Sequence, residues 1–363
     1  MIVDAHLDVA WNALYNQRDV TGPVESIRAA EANPGTVAMT SLDGFAAGGV
    51  GLVFATLYAE PAQPWAPVPP PMPRQPSKYE TPQQAEAIAL EMLELYERWA
   101  DQGRIRIILD REGLDDHVRR FPQDRVPGFL ILMEGADPIV EPDDLPRWFD
   151  RGLRMLGLCW GSTRYAGGTA SSTALTDSGR ELVHGMADLG IIHDASHLSE
   201  ESFWEAAGLP ARGFCVTHAA ARALMIPPRG RTAMIPLNRF LSDQQIAEVA
   251  RPHGAGSRGV IGLALLNPFL DPRWSYDSAG RANEVSMRAQ GAAHLHHYAA
   301  VAGWESVGLG TDVDAGYGRD ETPVELDSVG DWIRVADHVP TEARAGVLGE
   351  NWLRFLRETL PAR

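Results

Sequence analysis

A chain of 363 residues can bury one large core or two smaller ones, and its 45% apolar and 22% charged residues exclude a disordered or fibrous protein. A formal net charge of −16 excludes a nucleic-acid binder and docking on anionic lipid, because both need a basic face. The two cysteines, Cys159 and Cys215, lie inside apolar runs and make no disulfide framework.

The first strand-like run begins at residue 2 with no charged leader before it, and no apolar stretch reaches the ~18 residues of a spanning helix, so a cytoplasmic protein is expected. In chain order, strands are expected at 2–6, 50–58, 128–134, 154–160, 190–196, 214–219, 259–266 and 306–312. Their interiors are almost continuously apolar, as in Gly259 to Leu266, which is the pattern of parallel strands buried on both faces. Amphipathic segments lie between them. The clearest runs from Thr81 to Gln102, with a Thr81-Pro82 start and a stripe of Ile88, Met92, Leu95 and Trp99; others span 242–250 and 344–358. Residues 104–109 read as a short extra strand. Pro61 to Pro76 is proline-rich and reads as a stiff loop, neither helix nor sheet, in an insertion at about 61–80 over the strand ends.

This alternation predicts an α/β fold, a single (β/α)8 TIM-type barrel spanning residues 1–363 as one domain. An open doubly wound sheet is the alternative, but no glycine-rich phosphate loop follows the first strand.

Five strand-like runs end in residues able to hold a divalent metal: His6 and Asp8, Glu134, Asp194 and His197, His218, and Asp312. His6 and Asp8 are two residues apart and project the same way from a strand end. Glu134 closes a buried strand, where a carboxylate is costly unless paired or metal-bound, and one carboxylate can bridge two ions. His197 and His218 close consecutive strands and would lie side by side at the C-terminal mouth of the barrel. Any one of these could be a rim residue satisfied by hydrogen bonds; together they point to metal. His294, His296 and His297 lack a clean ligand spacing and read as structural or surface residues. His117, His184, His253 and His338 read as solvated. Ala166 to Thr169 lacks a phosphate-loop lysine and reads as a loop near the site.

The order of these residues resembles the membrane (renal) dipeptidase family of zinc metallopeptidases in the amidohydrolase superfamily. The matching stretches are Asp4 to Asp8, Met133 to Gly135, Arg154 to Leu158, Asp194 to Ser199, Thr217 to Leu224, Arg239 to Asp243 and Val307 to Asp314. The resemblance implies two Zn2+ ions per chain and cleavage of a small dipeptide by a metal-bridging hydroxide, often with a D-residue on the C-terminal side. A homodimer is typical of the family. By position, His6, Asp8 and Glu134 would hold one ion, and Glu134, His197 and His218 the other. Asp312 would take the proton from the water and pass it to the leaving amine, and Arg239 would contact the substrate's C-terminal carboxylate. Two ions about 3.5–4 Å apart can share and acidify a water, and a carboxylate beside it can act as base and then acid. Asp314 ranks second for that role, behind a reading as a loop-capping carboxylate.

One position departs from the family. Trp160 stands where a substrate-contacting histidine is expected, and an indole cannot become cationic. His193 or Tyr165 could then contact the oxyanion, or the metals alone could serve. An indole at the mouth also offers a flat wall to a bulky or aromatic group, unless it simply packs. This departure raises two rivals to the dipeptidase: hydrolysis of another N-acyl amino acid amide or a lactone, and a catalytically inactive metal-binding scaffold. Arg239 argues against a neutral lactone, and Asp312 against a scaffold.

Overall fold

The computed structural model describes residues 1–31, 36–62, 78–169, 171–229, 235–254, 256–274 and 284–362. Eight apolar runs form parallel strands: β1 Ile2–Leu7, β2 Val50–Tyr58, β3 Gly128–Glu134, β4 Leu153–Gly157, β5 Ile192–Asp194, β6 Phe214–Ala219, β7 Ile261–Leu263 and β8 Val307–Leu309. They neighbour one another in chain order with helices around them, giving a nearly closed TIM-type α/β barrel. Several strands are shorter than their apolar runs: the runs at 190–196, 259–266 and 306–312 pair only over Ile192–Asp194, Ile261–Leu263 and Val307–Leu309. The extra strand expected at 104–109 is present as a short outer strand, Arg106–Ile107, which pairs in parallel with β3.

Alternation along the strands divides the core in two. Ala5, Phe54, Leu132, Met155, Ile192 and Cys215 cluster with Trp352, Phe355 and Leu356 of the last helix, Asn351–Thr359. The other strand face, including Val53, Ala55, Phe129, Ile131 and Met133, packs against the surrounding helices. The helix Pro82–Asp101 begins on a Thr81 capping box and buries Ala85, Ala89, Met92, Leu93, Tyr96 and Trp99. Ile88 and Leu95 are only half-buried, so the packed stripe is turned slightly from the expected one. Asp243–Val249 starts on a Ser242 capping box. The expected 344–358 helix is broken: Gly346–Glu350 is a wider turn in which Gly349 leaves helical geometry, and a Cβ at Gly349 would overlap the Met1 carbonyl.

Residues 63–77 of the expected proline-rich loop lie outside the described residues. Its first residue does enter a sheet: Glu60–Pro61 pairs in parallel with Lys78–Tyr79. The Tyr79 hydroxyl donates to Asp137 Oδ2 at 2.6 Å, which ties the base of the insertion to the loop after β3. His117, expected in solvent, is buried, and its Nε2 bonds the Gly51 carbonyl at 2.6 Å. Half-buried His253 stacks on Phe214 at 5.0 Å. Among the described residues, no helix is long and apolar enough to cross a membrane.

The seam between β8 and β1 depends on one buried carboxylate. Asp4 Oδ1 accepts from the Thr311 amide at 2.8 Å, and Oδ2 accepts from the Thr311 hydroxyl at 2.6 Å and the Trp332 indole at 2.7 Å. The Asp312 amide then reaches the His6 carbonyl at 3.2 Å. Asp4→Ala strands these donors away from water and is expected to cost about 2–4 kcal/mol. A urea midpoint equal to the parent's would show that the seam closes without Asp4.

Candidate metal centre

Strand register sets the level of the site. Tyr58 pairs with Glu134, Glu134 with Gly157, Gly157 with Asp194, and Asp194 with Cys215, so these positions share one rim. His6, Asp8, Glu134, His197, His218 and Asp312 are all buried there.

Glu134 stands between two groups of nitrogens. Its Oε2 is 3.5 Å from His6 Nε2, while its Oε1 is 3.2 Å from His197 Nε2 and 3.6 Å from His218 Nε2. The Nε2 atoms of His197 and His218 are 2.9 Å apart, a separation at which two lone pairs repel unless a proton or cation lies between them. Two overlapping groups, His6 with Glu134 and His218, and His6 with Asp8 and Asp312, have ligand atoms within 4.8 Å of one another. Buried His6 Nε2 has no hydrogen-bond partner. Nitrogen and carboxylate donors converging on an imidazole nitrogen with no hydrogen-bond partner fit a divalent metal of the zinc class.

Three threonines, none singled out by the sequence reading, hold the donors from behind. The Thr217 hydroxyl contacts Nδ1 of His6 at 3.2 Å and of His218 at 3.0 Å. Thr169 Oγ1 lies 2.9 Å from His197 Nδ1, and the Thr56 hydroxyl donates to Asp8. Each left a faint signal: Thr56 interrupts an apolar strand, Thr217 directly precedes His218, and Thr169 ends the glycine-rich loop. His197 and Asp312 have φ of +65° and +59°, a left-handed conformation uncommon for non-glycine residues.

The electrostatics favour added positive charge. Burial most of all, then the Glu134 charge, lifts Asp8 to about 6, with His6 and Thr56 opposing. Burial likewise lifts Asp312 to about 8, with Glu134 and Asp8 adding to it and His6 and Arg239 opposing. Burial alone would lower His6, but Glu134, Asp312 and Asp8 outweigh it and raise the imidazole to about 10. Glu134 is held below the ordinary range by His6 and His197 in spite of its burial. His197 falls to about 4 and His218 is held well below the ordinary imidazole range, burial being the main cause for both.

The other expected residues divide. Arg239 is buried, its two Nη atoms both donate to the His218 carbonyl at 3.1 Å, and its Nε has no partner. Half-buried Trp160 lies 5.6 Å from the Tyr58 ring and 6.2 Å from the His197 ring, beside the cluster. Tyr165 is buried with its hydroxyl donating to the Ile139 carbonyl, so that proton is already used. His193 is buried and packs edge-on against Phe214 at 5.4 Å. The Asp314 carboxylate accepts from the Met39 and Thr40 amides and from the Thr40 hydroxyl, a loop-capping arrangement. Asp194 is occupied in the same way by Ser196 and Thr217.

The family model described as membrane dipeptidase (peptidase family M19) matches residues 1–362. A crystal structure of the dipeptidase AC, a metallo peptidase of family M19, is 25% identical, with a TM-score of 0.74 over 99% of this chain and 98% of that one. A metallo peptidase from Rhodobacter sphaeroides, liganded with a phosphinate mimic of the dipeptide L-Ala-D-Ala, is 24% identical, with a TM-score of 0.74 over 99% of both chains. Dipeptidase tcpJ of Claviceps purpurea (strain 20.1) is 26% identical over 67% of this chain and 53% of its own length.

Chelator-stripped protein is expected to gain about 2.7 kcal/mol of stability when a divalent ion is added at a hundredfold excess over its dissociation constant. The gain is read as a higher melting temperature, and Glu134→Gln should lose most of it. A parent protein whose melting temperature ignores divalent ions would rule out a metal centre here.

Proposed function

The chain belongs to the membrane dipeptidase family and is a metallo-dipeptidase, a hydrolase of peptide bonds; from that premise we propose that it carries two zinc ions and cleaves dipeptides with an apolar or aromatic side chain and a free C-terminal carboxylate. The observation that carries this reading is the split of Glu134, one oxygen toward His6 and the other toward His197 and His218. In this reading His6, Asp8 and Glu134 hold one ion, and Glu134, His197 and His218 the other. Bound there, the ions would supply an acidified water and polarise the scissile carbonyl.

The protein's own groups do the rest. Asp312 lies at the mouth, 3.9 Å from His6 Nε2, and a carboxyl lifted by burial can accept a proton there and return it to the leaving amine. Arg239 is a buried cation whose hydrogen bonds go to a neutral carbonyl, so a substrate carboxylate would offset the cost of its burial. Trp160 and Tyr58 form an aromatic wall beside His197 and would receive the substrate side chain. The L-Ala-D-Ala mimic on the Rhodobacter sphaeroides relative supports a D-residue on the C-terminal side as a substrate of this chain too.

A panel of L,L- and L,D-dipeptides, assayed together with metal content, tests the reading. Asp312→Asn should keep both ions while kcat falls about 100-fold or more; parental turnover would remove Asp312 as the base. Trp160→Ala should lower kcat/KM roughly tenfold for dipeptides with aromatic residues and leave alanine dipeptides nearly unchanged. An equal loss on both would make Trp160 a packing residue. Metal-loaded protein that turns over no dipeptide would overturn the substrate assignment.

A further inference from the structure

We propose that the Thr217 hydroxyl sets the ring tautomer of two neighbouring ligands assigned to different ions, His6 and His218, whose rings lie 3.7 Å apart, and so presents both Nε2 lone pairs to the ions. This rests on the ligand assignment above and adds a positioning residue to it.

The argument is a count of hydrogens. Thr217 Oγ1 lies 2.6 Å from Asp194 Oδ2, the shortest of its contacts. The other Asp194 oxygen is surrounded by donors: the Ser196 amide at 3.0 Å, the Ser196 hydroxyl at 2.7 Å and the Thr217 amide at 2.9 Å. Asp194 therefore acts as an acceptor throughout, and the Thr217 hydroxyl hydrogen goes to it. What remains on Oγ1 is lone pairs, and two ring nitrogens face them, His218 Nδ1 at 3.0 Å and His6 Nδ1 at 3.2 Å. Ser196 Oγ, 3.2 Å away, has already given its hydrogen to Asp194. Each Nδ1 must therefore carry the hydrogen of its own contact, and ligation falls to Nε2 on both rings. The unpartnered Nε2 of His6 is where that logic leads.

The backbone holds Thr217 to this task. Gly262 and Gly310 carry no side chain where the Thr217 carbonyl passes, and a Cβ at either would overlap that oxygen. The third ring is independent, because His197 Nδ1 faces Thr169 rather than Thr217. Loss of the Thr217 hydroxyl should therefore weaken both ions, whereas loss of the Thr169 hydroxyl should weaken one.

The test titrates Zn2+ and Co2+ into chelator-stripped parent, Thr217→Val, Thr217→Ser, Thr169→Val and His6→Ala, reading affinity and stoichiometry by chelator competition. Thr217→Val keeps the side-chain shape and should weaken both ions by about 10- to 100-fold, the usual range for a lost partner behind a ligand. Thr217→Ser should restore affinity to within about threefold of the parent, below that range. Parental affinity for either ion in Thr217→Val overturns the proposal. A loss in Thr217→Ser as large as in Thr217→Val overturns it too, by assigning the effect to packing. Should Thr217→Val not fold, as judged by circular dichroism of the metal-free protein, Thr217→Ala is read by the same criteria. His6→Ala separates the levels: if it keeps both ions at parental affinity, the ligand assignment fails, and if only it loses metal, the hydroxyl proposal alone fails.

Discussion

Three carboxyl groups, Asp8, Glu134 and Asp312, are gathered out of water at the mouth of one barrel, and the arrangement of the whole upper half follows from the cost of doing so. Burial and mutual repulsion lift Asp8 to about 6 and Asp312 to about 8, while His6 is drawn up to about 10. Each shift is the same demand for positive charge, expressed by a different group. A divalent cation meets it more completely than a proton can, because it faces several oxygens and nitrogens at once. The barrel supplies rigidity for this: each proposed ligand stands on or just beyond a strand end, and a threonine hydroxyl stands behind His6, Asp8, His197 and His218.

Much of this was legible in the amino-acid order for a simple reason. Strands buried on both faces must be apolar throughout, so a polar residue at the end of such a run stands out, as His6, Glu134, His218 and Asp312 do. The fold followed from the same signal, since eight such runs alternate with helical segments and appear as β1 to β8. What stayed hidden were partners that meet only in three dimensions. Thr217 and His6 are 211 residues apart, and no spacing rule connects them. His117 is a polar residue in an amphipathic helix, and its burial depends on a carbonyl 66 residues away at Gly51. The expected stripe on the long helix was slightly turned, because Ala85, Ala89 and Leu93 are buried while Ile88 and Leu95 are only half-buried.

The mouth separates metal chemistry from substrate recognition by element. The proposed ligands ride on or beside barrel strands that leave little room for variation. Trp160, Arg239 and the base of the segment beyond Glu60 sit in connections after the strands, the usual place for specificity in this architecture. A tryptophan at position 160 can therefore reshape the wall beside His197 without disturbing the nitrogens that face Glu134.

Hydrogen-bond saturation distinguishes the carboxylates that scaffold this site from those left to react. Asp4 is occupied by the His6 and Thr311 amides, the Thr311 hydroxyl and the Trp332 indole. Asp194 is filled by Ser196 and Thr217, and Asp314 by Met39 and Thr40. A carboxylate so satisfied has little capacity left for a metal or a proton. Asp8 accepts from the Thr56 hydroxyl alone among neutral donors, and Glu134 and Asp312 face imidazoles, among the described residues. That difference is why Asp314, two residues from Asp312 and on the same loop, is the weaker candidate for proton transfer: its lone pairs already hold the loop at Met39 and Thr40 in place, whereas those of Asp312 are open to the mouth.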